Sequence, residues 1–406
     1  MGRPPMDSPQ TREATKTPRR RLSPRTLRDS LAAYLFISPS MLVVVVFGIF
    51  PVFFTLYVSL FKWRPGGRVG FLALGNYTEI FGTDLPHIAL LAASIAGFMC
   101  AAFLIRQRRA RLGALWLSFG LLALAASLAA FARALPFVAS RGDKEIFDSL
   151  RITIWYSICT VPVQLAAGVG VAVLLAGRTP GKQAFRVITL VPYIAPTVAV
   201  AAVFELLLSL RPESFANQVL RLFGGRPLQW LAEPKGIIPL VFGSSPQAAA
   251  SAIVPAYWAE WAQGPSLALV SIIVFSWWVF IGYYALIYIN GLGNIPRQLY
   301  EAAVVDGASR LRSFFSITLP LLSPTTYFLS LLGVIGTFKA FTHIYVLRHP
   351  AAAGTVDPIS ISIFFTFFRK GRLGYASAIS ILLFVIVIGL TVLQQRTMEK
   401  GVTYGD

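Results

Sequence analysis

The residues most capable of chemistry are few and scattered in this 406-residue chain. Gly177–Gln183, G-R-T-P-G-K-Q, approaches a phosphate-binding loop but has one residue too few before Gly-Lys. It also ends in Gln where a Ser or Thr hydroxyl is needed to reach magnesium. Any ATP hydrolysis therefore has to come from a partner. His87, His343 and His349 have no second ligand at metal spacing, and read as interface residues. Cys100 and Cys159 fall inside apolar runs, giving neither a disulfide framework nor a metal site, and read as packing residues. No paired carboxylates and no Ser/Lys or Ser/His dyad can be assembled within the apolar segments, so an enzyme is not expected. The same reading gives no catalytic residue, no metal and no cofactor in this chain.

The most informative pattern lies in Ile295–Pro320, I-P-R-Q-L-Y-E-A-A-V-V-D-G-A-S-R-L-R-S-F-F-S-I-T-L-P. Pro296 suits a first helical turn, where its missing N–H costs nothing, and a short helix is expected to run to Asp306. Gly307 gives the backbone freedom for a sharp turn, and Ser309 is placed to cap a second short helix. Physics alone gives a helix-turn-helix at a membrane surface.

The elements that position this loop follow from composition. The chain is 56% hydrophobic and 13% charged, with mean hydropathy +0.67. Apolar runs are expected to span a bilayer at 32–61, 87–105, 113–131, 150–176, 186–210, 265–290, 319–345 and 373–395. Each has roughly the 20 residues needed to cross about 30 Å of hydrocarbon. Spans in lipid must satisfy their own backbone, so the fold class is all-α: a polytopic helical membrane protein of about eight spans. The net charge of +19 borders the apolar segments and does not form a nucleic-acid surface. Arg3 to Arg28 make a basic, disordered arm over 1–30, which with Arg106, Arg108, Arg109, Arg111, Arg297, Arg310, Arg312 and Lys400 places both termini in the cytoplasm. The opposite face carries a loop over 211–263, expected to hold short helices and irregular structure.

The spacing of Glu301, Ala302, Ala303, then Gly307, Ile317, Leu319 and Pro320 resembles the hallmark loop of bacterial ABC importer permeases. The likeness extends to the sugar-type permeases, the group of the larger maltose permease subunit. It is carried by N-Y-T-E-I-F at Asn76–Phe81, F-R-V-I-T-L-V-P-Y-I-A-P at Phe185–Pro196, W-L-A-E-P at Trp230–Pro234 and L-G-Y-A-S-A-I-S at Leu373–Ser380. Coverage is about residues 30 to 400. The implied organisation is a first span and outer segment over 31–85, an inserted helix pair over 86–142 and a permease core over 143–400. Within that core, 291–320 is the coupling loop, and 236–263 enlarges an outer loop.

The resemblance implies that this loop seats in a cleft of an ATPase subunit. Ala302 and Ala303 then permit close approach, Gly307 sets the bend, Glu301 meets a basic partner residue, and Asp306 joins the contact or caps locally. It also implies solute contacts from Ser276–Tyr284 and Gly333–Phe341. Ser276, Phe280, Tyr283 and Tyr284 recur there at helical spacing, with Gly336, Thr337 and Lys339 on the second span. Aromatic rings with hydroxyls suit a sugar, whereas Lys339, if it faces the cavity, favours an anionic solute such as a glycerol phosphate. The implied partners are a second homologous permease, two ATP-binding subunits that use ATP and Mg, an extracytoplasmic solute-binding protein and the lipid of a bacterial inner membrane. An ion-coupled secondary transporter is the competing reading, and paired halves with intramembrane acids would favour it.

Overall fold

The computed structural model describes residues 24–106, 113–177, 181–243 and 256–398. The basic arm up to residue 23, most of the Arg106–Arg111 turn, Arg178, residues 244–255 and Lys400 lie outside the described residues. The chain divides into a unit ending at Phe54 and a unit beginning at Thr55.

The first unit holds α1 (Pro24–Val43), a π-helical turn, Val44–Ile49, and the start of α2 (Phe50–Ser59). Together they supply the span Ala32–Ser59, whose large apolar side chains are exposed as lipid contact requires.

In the second unit the end of α2 is followed by the only strands among the described residues, β1 (Phe61–Arg64) and β2 (Gly67–Phe71), paired antiparallel with Phe61 opposite Phe71. The first apolar run was expected to continue to 61; it stops at Ser59 because Lys62 and Arg64 alternate with Phe61 and Trp63 at strand spacing. Asn76, in α3 (Gly75–Phe81), is buried and its Nδ2 donates to Ser59 O at 2.7 Å and Phe61 O at 3.1 Å. Asn76 thus ties α3 to the end of α2 and the start of β1.

Next come α4 (Leu85–Arg106) and α5 (Gly113–Arg141), packed as a hairpin, then α6 (Lys144–Ala176). The expected span 186–210 is broken: α7 (Lys182–Ile194) and α8 (Thr197–Leu207) meet at 96°, because Ala195 precedes Pro196 and takes an extended conformation. Short helices α9 (Phe215–Leu222), α10 (Ile237–Phe242) and α11 (Ala256–Ala262) fill the loop before α12 (Leu267–Gly293).

After α12 the chain forms α13 (Arg297–Val305) and α14 (Arg310–Ser313), followed by a π turn, Phe314–Thr318, and α15 (Leu319–Leu321). It then bends by 62° into α16 (Ser323–Phe338). The expected span 319–345 ends at Phe338, and Thr342–Leu347 is a separate helix, α17. An unanticipated ten-residue apolar helix, α18 (Ile359–Phe368), precedes the last span, α19 (Leu373–Met398). Among the described residues, five helices are long and apolar enough to cross a membrane, or up to eight if each bent pair is one span.

The core is α12 packed on α6 and α7, with α16 and α18 also against α6. At Gly282 a Cβ would stand 1.8 Å from Thr189 O, so glycine is required for the α7 backbone to lie this close.

Candidate functional site

Two places collect the sequence-marked residues. The first is the loop after α12. Pro296 is the residue before α13 rather than inside it, and Asp306 is the C-cap. Gly307 takes φ +72°, a left-handed conformation that favours glycine. Ser309 Oγ accepts from Arg312 N–H at 3.2 Å, the expected cap of the second helix. Tyr300 Oη and Thr318 Oγ1 lie 2.9 Å apart and tie α13 to the π turn that leads into α15.

Glu301 and Ala302 are exposed, whereas Ala303 is buried, so only one of the two alanines can face a partner. Arg297, Tyr300, Glu301 and Val304 line a shallow open depression. Val304 is 73% exposed and Val305 87%, which leaves two apolar side chains standing free beside a charged one. Sequence reasoning passed over both valines; two adjacent apolar residues in a surface loop were the available signal.

The second place is the middle of α12. Phe280 and Tyr283 are half-buried, and Tyr193 of α7 joins them: its ring stacks on Tyr283 at 4.4 Å and meets Phe280 edge-on at 5.8 Å. The three rings form a shelf with a partly exposed face, since Tyr193 is 40% exposed. Tyr193 lies within F-R-V-I-T-L-V-P-Y-I-A-P but was not singled out, because the packing of α7 on α12 is invisible in sequence.

The other marked residues separate from this shelf. Ser276 is fully buried, with its Oγ 2.6 Å from Tyr156 Oη. Tyr284 is buried, and Thr337 is buried while donating to Ser157 Oγ at 2.9 Å. Gly336 is exposed and faces open space, and Lys339 is an exposed C-cap of α16, where a cation suits the helix end. His343 is not at an interface; α17 carries it into the core, 2.7 Å from Tyr156 Oη.

Residues 164–400, more than half of the chain, match the family described as binding-protein-dependent transport system inner membrane component. The chain belongs to this family. A trehalose/maltose transport system permease protein of Thermococcus litoralis is 31% identical over 263 residues, 63% of this chain and 78% of the relative. An sn-glycerol-3-phosphate transport system permease protein of Agrobacterium fabrum is 30% identical over 284 residues, 66% of this chain and 81% of the relative. The fold is similar to that in the crystal structure of a bacterial ABC transporter involved in the import of the acidic polysaccharide alginate. There the TM-score is 0.60 at 16% identity, covering 93% of this chain and 98% of that one. This binding-protein-dependent transport component is thus a polytopic helical permease of the bacterial inner membrane, and a transport protein by family rather than an enzyme.

In this permease the loop helix α11 is fixed to the corner where α5 passes into α6. Trp258 Nε1–H donates to Ala132 O at 2.8 Å, and its ring packs against Phe131. Glu260 receives Arg151 and, at 3.3 Å, Lys144, while Arg151 also meets Asp148 at 3.1 Å. Burial alone would push the Glu260 carboxyl up, but the hydrogen bonds and charges of Arg151 and Lys144 outweigh it and hold the pKa below the ordinary 4.5. A carboxyl depressed by folding adds stability above its unfolded pKa, and that stability is lost as pH falls through the folded value. The melting temperature is therefore expected to fall as pH drops below about 4.5, and Glu260→Gln is expected to flatten that dependence. An unchanged slope in the variant would assign the pH effect to other carboxylates.

Proposed function

We propose that this permease passes a sugar or other polyhydroxy solute across the membrane along the face of α12 that carries Phe280 and Tyr283. The partly exposed shelf of Tyr193, Phe280 and Tyr283 carries the reading. Flat rings offer apolar surface to the C–H faces of a sugar while their hydroxyls stay available at its rim. The trehalose/maltose relative supports the same solute class.

The loop 294–313 supplies the other half of the mechanism. With both termini cytoplasmic, α13 presents Glu301, Ala302, Val304 and Val305 to an ATP-binding subunit, and Gly307 fixes the angle at which it does so. Two such subunits hydrolyse Mg·ATP, a second homologous permease completes the passage, and an extracytoplasmic binding protein delivers the solute. Closure of the ATPases moves α13, and through Tyr300–Thr318 the movement reaches α15 and α16.

A second reading has one observation in its favour. Lys339 is an exposed cation at the end of α16, and a relative is the sn-glycerol-3-phosphate permease, so the solute would carry a phosphate.

Purification in mild detergent followed by mass spectrometry tests the assembly. Recovery of an ATPase subunit and a second permease is expected, whereas a lone stable chain would sink the reading. The co-purified binding protein, titrated with maltose, trehalose and glycerol 3-phosphate, separates the two solutes. Tyr283→Ala is expected to raise the KM for uptake by about threefold to tenfold, the worth of an aromatic contact of about 0.5–1.5 kcal/mol, with basal ATPase activity unchanged. An unaltered KM would remove Tyr283 from the path.

A further inference from the structure

Polar side chains buried inside a helical membrane bundle are expensive, and three meet here from three separate elements. Tyr156 comes from α6, Ser276 from α12 and His343 from α17. Tyr156 Oη lies 2.6 Å from Ser276 Oγ and 2.7 Å from His343 Nε2, and Ser276 Oγ donates to Ile272 O at 3.1 Å. With the proton on Nε2, the bonds run in one direction: His343 donates to Tyr156, Tyr156 to Ser276, and Ser276 to the α12 backbone. Both hydroxyl hydrogens are taken up within the protein, so Ser276 has no free hydrogen to offer a solute.

The surroundings keep it so. The His343 ring lies over Phe275 at 5.7 Å and edge-on to Phe280 at 6.5 Å, so it borders both the buried hydroxyl and one ring of the shelf. Gln164 Nε2 donates to Ser276 O at 3.1 Å from behind. The element that carries His343 is the shortest of the three, and it packs mainly on α8. α17 has six residues, and the break at Lys339–Phe341 sets it off from α16.

We propose that His343 and Tyr156 determine whether Ser276 takes part in solute recognition. They hold its hydroxyl inside the protein, and withdrawal of α17 from α6 and α12 releases it to the shelf beside Phe280. This latch rests on the reading of the shelf as the solute path. An uncharged hydroxyl of the solute is the group that replaces Tyr156 as the partner of Ser276, because all three members of the latch exchange hydrogen bonds with a neutral hydroxyl without burying a charge.

The test is thiol accessibility in native membranes containing the assembled transporter, in a Cys100→Ala, Cys159→Ala background. The probe is a small methanethiosulfonate reagent. The thiol of Ser276→Cys is expected to react at least tenfold more slowly than that of Tyr283→Cys. Adding His343→Ala is expected to raise the rate at position 276 at least tenfold. His343→Gln, which keeps a hydrogen-bonding side chain there, is expected to restore most of the protection. Tyr156→Phe removes only the hydroxyl, keeps the packing, and is expected to raise the rate by a smaller factor; it carries the test if His343→Ala fails to assemble. A rate at position 276 that neither variant changes, whether slow or fast, overturns the latch. An unreactive thiol at Tyr283→Cys together with a responsive one at Ser276→Cys removes the shelf as solute path and leaves the shielding of Ser276 standing.

Discussion

Glu301→Lys is expected to leave the permease folded and inserted while cutting solute uptake by about 30-fold or more, the loss that follows from about 2–5 kcal/mol when one member of a buried charge pair at an interface is removed. Glu301 is exposed on α13, and among the described residues no ion pair or side-chain hydrogen bond engages it. Reversing its charge therefore costs the chain itself almost nothing, and on the proposed coupling role the effect arises at the ATP-binding partner. Uptake and ATPase activity measured together on reconstituted transporter separate the cases: solute-stimulated hydrolysis is lost, while the Tm of the chain is unchanged. Val304→Asp is expected to act the same way, since it puts a charge on a side chain already 73% exposed. Normal coupled transport in Glu301→Lys would remove that residue from the docking surface, and a fall in Tm would turn its role into a structural one.

Gly282→Val is expected to have the largest effect on the fold. Its Cβ would stand 1.8 Å from Thr189 O and 2.6 Å from Thr189 C, and both are backbone atoms that cannot rotate away. α7 and α12 would have to separate, which breaks the Tyr193–Tyr283 stack at 4.4 Å as well as the packing. Overpacking of this kind costs about 3 kcal/mol, and more where the obstacle is main chain. Thermal melts in detergent would show a drop of several degrees or no folded protein, and Gly282→Ala would show the smaller loss. A melt at the original temperature would mean that α7 can shift without cost.

Local patterns were legible and distant pairings were not. The turn at Gly307 and the cap at Ser309 are fixed by residues within one short segment, and both are present. Apolar runs gave the spans, but their ends followed chemistry that hydropathy does not weigh: the alternating charges after Ser59, Pro196 between α7 and α8, and the break after Phe338. His343 looked isolated because its partners, Tyr156 and Ser276, stand 187 and 67 residues away. Ser276 and Tyr283 share helical spacing, yet one is locked inside and the other reaches the shelf. That difference is set by α6 and α17, not by α12. Tyr193 escaped notice for the same reason.

The fastening of α11 also has a consequence in time. Lys144 and Glu260 are 116 residues apart, and Trp258 is 126 residues beyond Ala132. A chain emerging from the ribosome delivers α4, α5 and the start of α6 long before the helix that holds their corner. At about 5–20 residues per second, that corner waits roughly 5 to 25 seconds with Arg151 lacking its glutamate. Nascent chains stalled before residue 256 are therefore exposed to surveillance proteases at this corner, and those that have passed residue 260 are protected there.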